Sequence, residues 1–332
     1  MVKRIGFACK WVKNTNNRIE SVAELNNRVT TVSWLNRQTK LDAEQRLWDI
    51  MQHNLTASLQ LVKKVGSLTD QLRMVRLSSD ILPMYTEGVW STFWKRPDVR
   101  NYCESNFSII GEVARNLNVR LSMHPGQFCC LSSDRTEVVE NSRLEIEYHS
   151  DMIRWMGYGK SWQDFKCNIH VGGRVGPTAI RNILPKLSST ARNTLTIEND
   201  EISWGLDDTL KLADCLPLVI DLHHHFIKTG EYILPSDARI TKVKDSWRGI
   251  RPVIHYSQCR PDVVNSSLSS LPDLSILVAS GIKKQQLRGH SEYFTNSAVN
   301  SWAYGHWNWA DIMCELKSKN LGSQLLYESW NI

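Results

Sequence analysis

The sequence predicts a single (β/α)8 barrel over residues 1–332, with a metal cluster at the C-terminal face of its strands. Short apolar runs alternate with helical patterns eight times, and no linker or internal repeat divides them. Six polar residues stand just past such runs: Leu-Ser-Met-His124, Cys-Asn-Ile-His170, Leu-Thr-Ile-Glu198, Val-Ile-Asp221, Val-Ile-His255 and Ile-Met-Cys-Glu315. Runs of three or four apolar residues read as buried parallel strands, and parallel strands closed into a barrel end at one mouth. A doubly wound open sheet is the rival, since its strands also end at one edge, but no GxGxxG follows the first strand.

Arg4 to Ala8 is the first expected strand, and after a polar loop a helix is predicted from about Asp42 to Val65. Leu47, Ile50, Met51, Leu55, Leu59 and Val62 give that helix its 3.6-residue period. Met74 to Leu77 is the second strand, followed by a helix over Asp98 to Leu117. Arg120 to Met123 is the third, with a helix over Glu137 to Trp155, and Lys166 to Val171 the fourth, with a helix near Thr178 to Leu187. Thr194 to Ile197, Leu216 to Ile220, Pro252 to Ile254 and Asp311 to Cys314 complete the set, with one more helix near Asp207 to Leu212. Turn signals crowd the stretch from Tyr256 to Ser301, which predicts an extended βα loop of the kind that carries function in barrels.

Composition narrows the class. A hydrophobic fraction of 42% and a charged fraction of 22% fit a globular chain and disfavour long disorder. The formal charge of +6 is too mild to identify nucleic acid as a partner, but it is compatible with a basic face around acidic ligands. The thirteen Trp serve as core volume or as exposed stacking surface. Eight Cys without CxxC spacing, and a start lacking an apolar signal core, predict reduced thiols and a cytoplasmic protein. No window approaches a membrane span.

A lone His after an apolar run is usually a hydrogen-bonded structural residue. Six metal-binding side chains on six strand ends do not share that explanation, because each buried group would cost desolvation without gain. Mixed imidazole and carboxylate donors favour Mn, Zn or Fe over Mg alone. Of His223, His224 and His225, three neighbours cannot all face one ion, whereas His290 can reach the mouth from the long loop. His53, His149 and His306 take the structural reading. No Ser or Cys sits in an elbow motif, so covalent catalysis is the weaker idea.

The segments Leu121-Ser-Met-His-Pro-Gly-Gln-Phe128, Ile169-His-Val-Gly-Gly173, Thr196-Ile-Glu-Asn-Asp-Glu201 and Asp221-Leu-His-His-His225 carry a resemblance to the ultraviolet damage endonuclease family. It covers roughly residues 3 to 317. The resemblance implies a barrel related to endonuclease IV and xylose isomerases. It further implies a cluster of two or three divalent ions, manganese with zinc or magnesium as alternatives. The implied activity is nicking of damaged double-stranded DNA on the 5′ side of pyrimidine dimers, 6-4 products and abasic sites, by a monomer. Carried over residue by residue, it implies metal ligands at His124, His170, Glu198, Asp221, His224, His255, His290 and Glu315. Glu198 would bridge two ions, with His124 and His170 on one side and Asp221, His255 and Glu315 on the other. Glu198, Asp221, His255 and Glu315 would be catalytic, and His224 and His290 would hold a third ion.

Two positions depart from the family. Glu87 stands where a ligating His is usual, and is expected to ligate through a carboxylate instead. Val253 stands where some relatives have a lysine two residues before the seventh-strand His. Damage recognition is expected from Gln127 and Phe128, an amide and a ring on a rigid turn that can wedge into a weakened base stack. Phe7, Lys10 and Arg174 are the further expected DNA contacts, with Lys228 as another candidate for phosphate. A sugar isomerase of the same barrel type and a damage-binding protein without cleavage are the alternative functions.

Overall fold

The computed structural model describes residues 2–16, 18–264 and 269–330. β1 (Ile5–Ala8) is followed by a two-stranded hairpin of β2 (Val12–Thr15) and β3 (Arg18–Ser21) that, among the described residues, forms its own small sheet. β4 (Met74–Arg76), β5 (Arg120–Met123), β6 (Lys166–His170), β7 (Leu195–Glu198), β8 (Leu218–Val219), β9 (Val253–Tyr256) and β10 (Asp311–Cys314) then join β1 in one parallel sheet. Its spatial order is β8-β7-β6-β5-β4-β1-β10-β9. The outer strands meet where Asp221 and His255 form a parallel bridge, with His255 N donating to Ile220 O at 3.0 Å. The sheet is therefore the expected eight-stranded barrel, nearly closed at its β8–β9 seam.

Successive side chains of a strand point to opposite faces, so each strand sends alternate residues into the barrel. Met74, Val219, Val253 and Met313 pack there against Trp247, whose indole donates to Leu218 O at 2.8 Å. Below them Asp311 is fully buried and accepts from Arg120 Nη1 and Arg251 Nε, each at 2.7 Å, an ion cluster at the N-terminal end of the strands. Two residues further along each strand come the polar groups of the opposite end.

The outer helices follow the predicted pattern where the apolar period is long. Helix Lys40–Gly66 starts at Thr39, whose side chain accepts from Asp42 N at 3.2 Å, and buries Leu47, Ile50, Met51, Leu55 and Val62. Pro97–Asn116 and Thr136–Trp155 follow β4 and β5. Several elements depart from expectation. The β2–β3 hairpin lies in the predicted polar loop, and side chains rather than core fasten it. Asn26 bonds Trp11 N and O at 2.8 Å each, and Asn320 Oδ1 accepts from Val12 N at 2.7 Å. The Tyr256–Ser301 stretch is not plain loop: it holds helices Leu274–Ala279 and Lys284–Leu287 and the start of Ser297–His306.

Three histidines given a structural reading make backbone bonds far from the mouth or on the outer helices. His53 Nε2 meets Asn26 O at 3.0 Å, His149 Nδ1 meets Glu145 O at 2.8 Å, and His306 Nε2 meets Ile233 O at 3.0 Å. Burial lowers His149 and His306 from 6.5 to about 4. Both are thus neutral in the folded protein when the unfolded chain already binds protons. As pH falls through the unfolded value, protonation favours unfolding, and the loss continues until the folded groups titrate. Stability is expected to drop between pH 6.5 and about 4, by on the order of 3 kcal/mol for each histidine. Urea midpoints across that range check it: H149Q should flatten the slope, and an unchanged slope would refute the assignment.

Candidate metal centre

β5, β6, β7, β8, β9 and β10 each deliver one ligand-type side chain at or just past their C-terminal ends. His124, His170, Glu198, Asp221, His255 and Glu315 all face the barrel mouth, joined by His224. The donor atoms form three overlapping groups: His124, His170 and Glu198; Glu198, Asp221 and His224; and Asp221, His255 and Glu315. Within each group they lie inside 4.8 Å of one another. Glu198 is central. Its Oε2 is 3.0 Å from His255 Nδ1, 3.5 Å from His124 Nε2 and 3.9 Å from His170 Nε2, and its Oε1 is 3.6 Å from His224 Nδ1.

Local structure explains how each ring is aimed. His124 Nδ1 lies 2.8 Å from Pro125 O, a bond that puts the proton on Nδ1 and leaves the Nε2 lone pair for the cluster. Asp221 caps helix Leu222–Thr229 by accepting from His224 N at 2.7 Å, which starts the helix at the mouth. Helical steps of about 100° then separate the three histidines. His223 turns to Leu287 O at 3.0 Å, His225 turns to Glu231 Oε2 at 3.0 Å, and His224 alone faces Glu198.

The electrostatics suit cations. Burial works to protonate Glu198, but His255 and His170 outweigh it and hold its carboxyl well below the ordinary value. Glu315 is likewise kept low against burial by Arg76, with which it is hydrogen-bonded. Burial raises Asp221 to about 7, while Asp221, Glu198 and Glu201 overcome burial to raise His224 to about 10. Buried donor atoms also lack partners: Glu198 Oε1, Asp221 Oδ2, His170 Nδ1 and His255 Nδ1 make no hydrogen bond among the described residues. Orphaned buried lone pairs gathered in one place are what divalent ions would satisfy, so the residues fit a metal cluster. Loading would displace the protons held on Asp221 and His224, so affinity should rise with pH.

The structure separates the remaining expected site residues. His290 lines the mouth cavity beside His224 but belongs to none of the three groups. Glu87, expected as a ligand, lies outside them too; its Oε2 accepts from Trp90 N at 3.2 Å and closes its own turn. Phe7, expected as a DNA contact, is 1% exposed and packs edge-on to Trp11 at 5.7 Å in the layer outside the strands. The strand period explains this correction, because Gly6 and Ala8 take the inward positions on β1. Gln127 and Phe128 line the mouth, and Phe128 is 86% exposed. Lys10 is exposed after β1, and Arg174 is exposed and reaches Asp134 Oδ2 at 3.2 Å. Lys228 is engaged elsewhere, donating to Ile202 O and Ser203 O at 3.1 Å each.

Three partners of the cluster went unread in the sequence. Lys166 Nζ is 2.7 Å from His255 Nε2, Asn168 Nδ2 donates to Glu198 Oε2, and Arg76 pairs with Glu315. The signal was present. In Lys-Cys-Asn-Ile-His170 the polar residues 166, 168 and 170 alternate with apolar ones, the pattern of a strand with one polar face. Val253, on β9, is buried among apolar side chains, and the lysine that touches His255 comes from β6 instead.

The sequence family described as UV-endonuclease UvdE matches residues 3–327. The chain belongs to that family. A UV-damage endonuclease from Neurospora crassa is 29% identical over 204 residues, 56% of this chain and 30% of that protein. A UV DNA damage endonuclease from Bacillus cereus is 25% identical over 303 residues, 85% of this chain and 82% of that protein. The chain thus spans less than a third of the Neurospora relative and most of the Bacillus one. Among solved structures, SacUVDE superposes with a TM-score of 0.71 at 23% identity, covering 99% of both chains. Endonuclease IV from Thermus thermophilus gives a TM-score of 0.53 at 11% identity, over 82% of this chain and 94% of that one. These two likenesses show the barrel fold shared by the UvdE family and endonuclease IV.

Proposed function

We propose that the chain is a metal-dependent endonuclease that cuts duplex DNA on the 5′ side of ultraviolet photoproducts. One observation carries the reading: a buried His and carboxylate cluster opens into a cavity of about 650 Å³ whose rim presents a solvent-exposed ring, Phe128, beside Gln127. A ring with 86% exposure buries almost nothing in the free protein, so folding does not explain it, whereas insertion between weakened base steps would. The loop is held for that task. Cys129 N donates to Gly126 O at 2.9 Å, Cys130 N donates to Ser142 Oγ at 2.7 Å, and Ser79 Oγ donates to His124 O.

His124, His170, Glu198, Asp221, His224, His255 and Glu315 would hold two or three divalent ions; the donor set suits manganese, zinc or iron, and manganese is the one the family resemblance implies. Such ions supply Lewis acidity to phosphodiester hydrolysis. The chain's own part is to keep Glu198 ionised between the imidazoles, to balance Glu315 with Arg76, and to part the bases with Gln127 and Phe128. Exposed Lys10 and Arg174 are placed to meet backbone phosphate. Damaged duplexes are selected because an already weakened stack costs less to open.

With bound Mn²⁺ verified, the protein should nick ultraviolet-irradiated supercoiled plasmid and leave unirradiated plasmid closed; two intact plasmids would end the proposal. Phe128→Ala is expected to lower kcat/KM on a duplex with one defined dimer by about ten- to a hundredfold, the range for loss of one aromatic–base contact. Metal content should stay the same. If F128A instead loses metal, the turn serves the cluster and not recognition.

A further inference from the structure

We propose that Ile202 is a second apolar contact to damaged DNA, packing on the base or deoxyribose next to the displaced nucleotides from a position two loops along the rim from Phe128. The inference rests on the endonuclease reading above and adds a residue that selects the substrate. Ile202 follows β7, Val175 follows β6 and Phe128 follows β5, three neighbouring strands of the sheet. Their side chains are 60%, 45% and 86% exposed, so consecutive loops present an apolar arc on one side of the rim. Phe128 and Ile202 line the same cavity as the ligands His170, His224 and Glu315.

Exposure alone would be ordinary for a surface isoleucine; the bracing beneath it is not. Asp200 Oδ1 accepts from Ile202 N at 2.7 Å and from Ser203 N at 2.6 Å, and Asp200 N donates to Trp204 O at 2.9 Å. Lys228 Nζ reaches in from helix Leu222–Thr229 to hold Ile202 O and Ser203 O. Glu201 faces Arg288 Nε at 3.4 Å, and the Trp204 indole donates to Gly173 O at 2.9 Å, tying this turn to the loop after β6. Two groups, Asp200 and Lys228, thus fix the backbone of Ile202 itself, and the remaining contacts hold the turn around a side chain that packs on little. Such a turn keeps the isoleucine pointed into the mouth without further ordering when DNA arrives, and this preorganisation favours affinity. A branched aliphatic is among the side chains that proteins insert against base steps. A phosphate contact would instead require a cation, and both cations at this turn are engaged, Lys228 with Ile202 O and Ser203 O and Arg288 with Glu201.

The test uses full-length protein loaded with Mn²⁺ and two duplexes, one with a single pyrimidine dimer flanked by 2-aminopurine and one undamaged. Ile202→Ser should lower kcat/KM on the dimer duplex about tenfold and reduce the 2-aminopurine fluorescence change on binding. Metal content, melting temperature and affinity for the undamaged duplex should be unchanged, and Ile202→Met should recover most of the loss. Wild-type cleavage by I202S, or an equal loss on both duplexes, would overturn the inference. Failure of the wild-type protein to prefer the dimer duplex would instead refute the endonuclease reading itself, so the two failures are distinguishable.

Discussion

Replacing Glu198 by Gln is expected to reduce kcat for cleavage of damaged DNA by about a thousandfold or more, the scale on which removing one preorganised electrostatic group acts. Glu198, like Asp221, is shared by two of the three donor groups, and its two oxygens face four imidazoles within 4 Å. An amide has nearly the same shape and no charge. The substitution therefore keeps the packing and the Asn168 neighbour, while two cations sharing the site would lose the anion that screens their repulsion. Elemental analysis should show less than a full complement of metal, and circular dichroism should show an intact barrel. Full activity in E198Q would remove the bridging role, and unfolding of E198Q would place the residue among the structural ones.

Replacing Lys166 by Met is expected to weaken metal binding by about ten- to a hundredfold, the usual effect of removing a group that orients a ligating histidine. Lys166 is buried at the start of β6, and burial, opposed by Glu198, lowers its ammonium to about 7. A neutral amine can accept the Nε2 proton of His255 across their 2.7 Å contact. That tautomer leaves the Nδ1 lone pair facing Glu198 and Glu315, at 3.0 and 3.3 Å, where an ion would bind. Methionine fills similar space and offers no acceptor. K166Q, whose amide oxygen can accept, should restore part of the affinity. Manganese titration followed by calorimetry reads the difference, and equal affinities for wild type and K166M would show that Lys166 merely fills the barrel.

Most of the barrel was legible because its strands are buried on both faces and its longer helices repeat apolar residues at a clean period. The six candidate ligands at strand ends were legible for a related reason: a single polar side chain closing an apolar run is conspicuous. The interior partners were harder to see. Arg76 and Lys166 lie within strands, where a charged residue reads as a weakness in the pattern unless its opposite number, on a strand far away in sequence, is known. Phe7 shows the reverse error, since family likeness placed it in the mouth while its position between inward Gly6 and Ala8 turned it outward. Glu87 likewise needed the turn at Trp90 before its carboxylate could be seen to serve the backbone. The hairpin after β1 had no apolar alternation to announce it, because Asn26 and Asn320 hold it through amide groups.

The seam of the barrel has a consequence for how the molecule comes apart. β8 is two residues long, and the strand that should complete the circle is joined to β9 chiefly at the Asp221–His255 bridge, where both partners also belong to the candidate metal groups. Cations seated there would stitch the first and last staves of the cask together, so a loaded protein would gain rigidity at the joint the backbone leaves thin. Chelation would loosen that joint first, and the amide of His255, bonded across it to Ile220, is expected to be the earliest to exchange when metal is withdrawn.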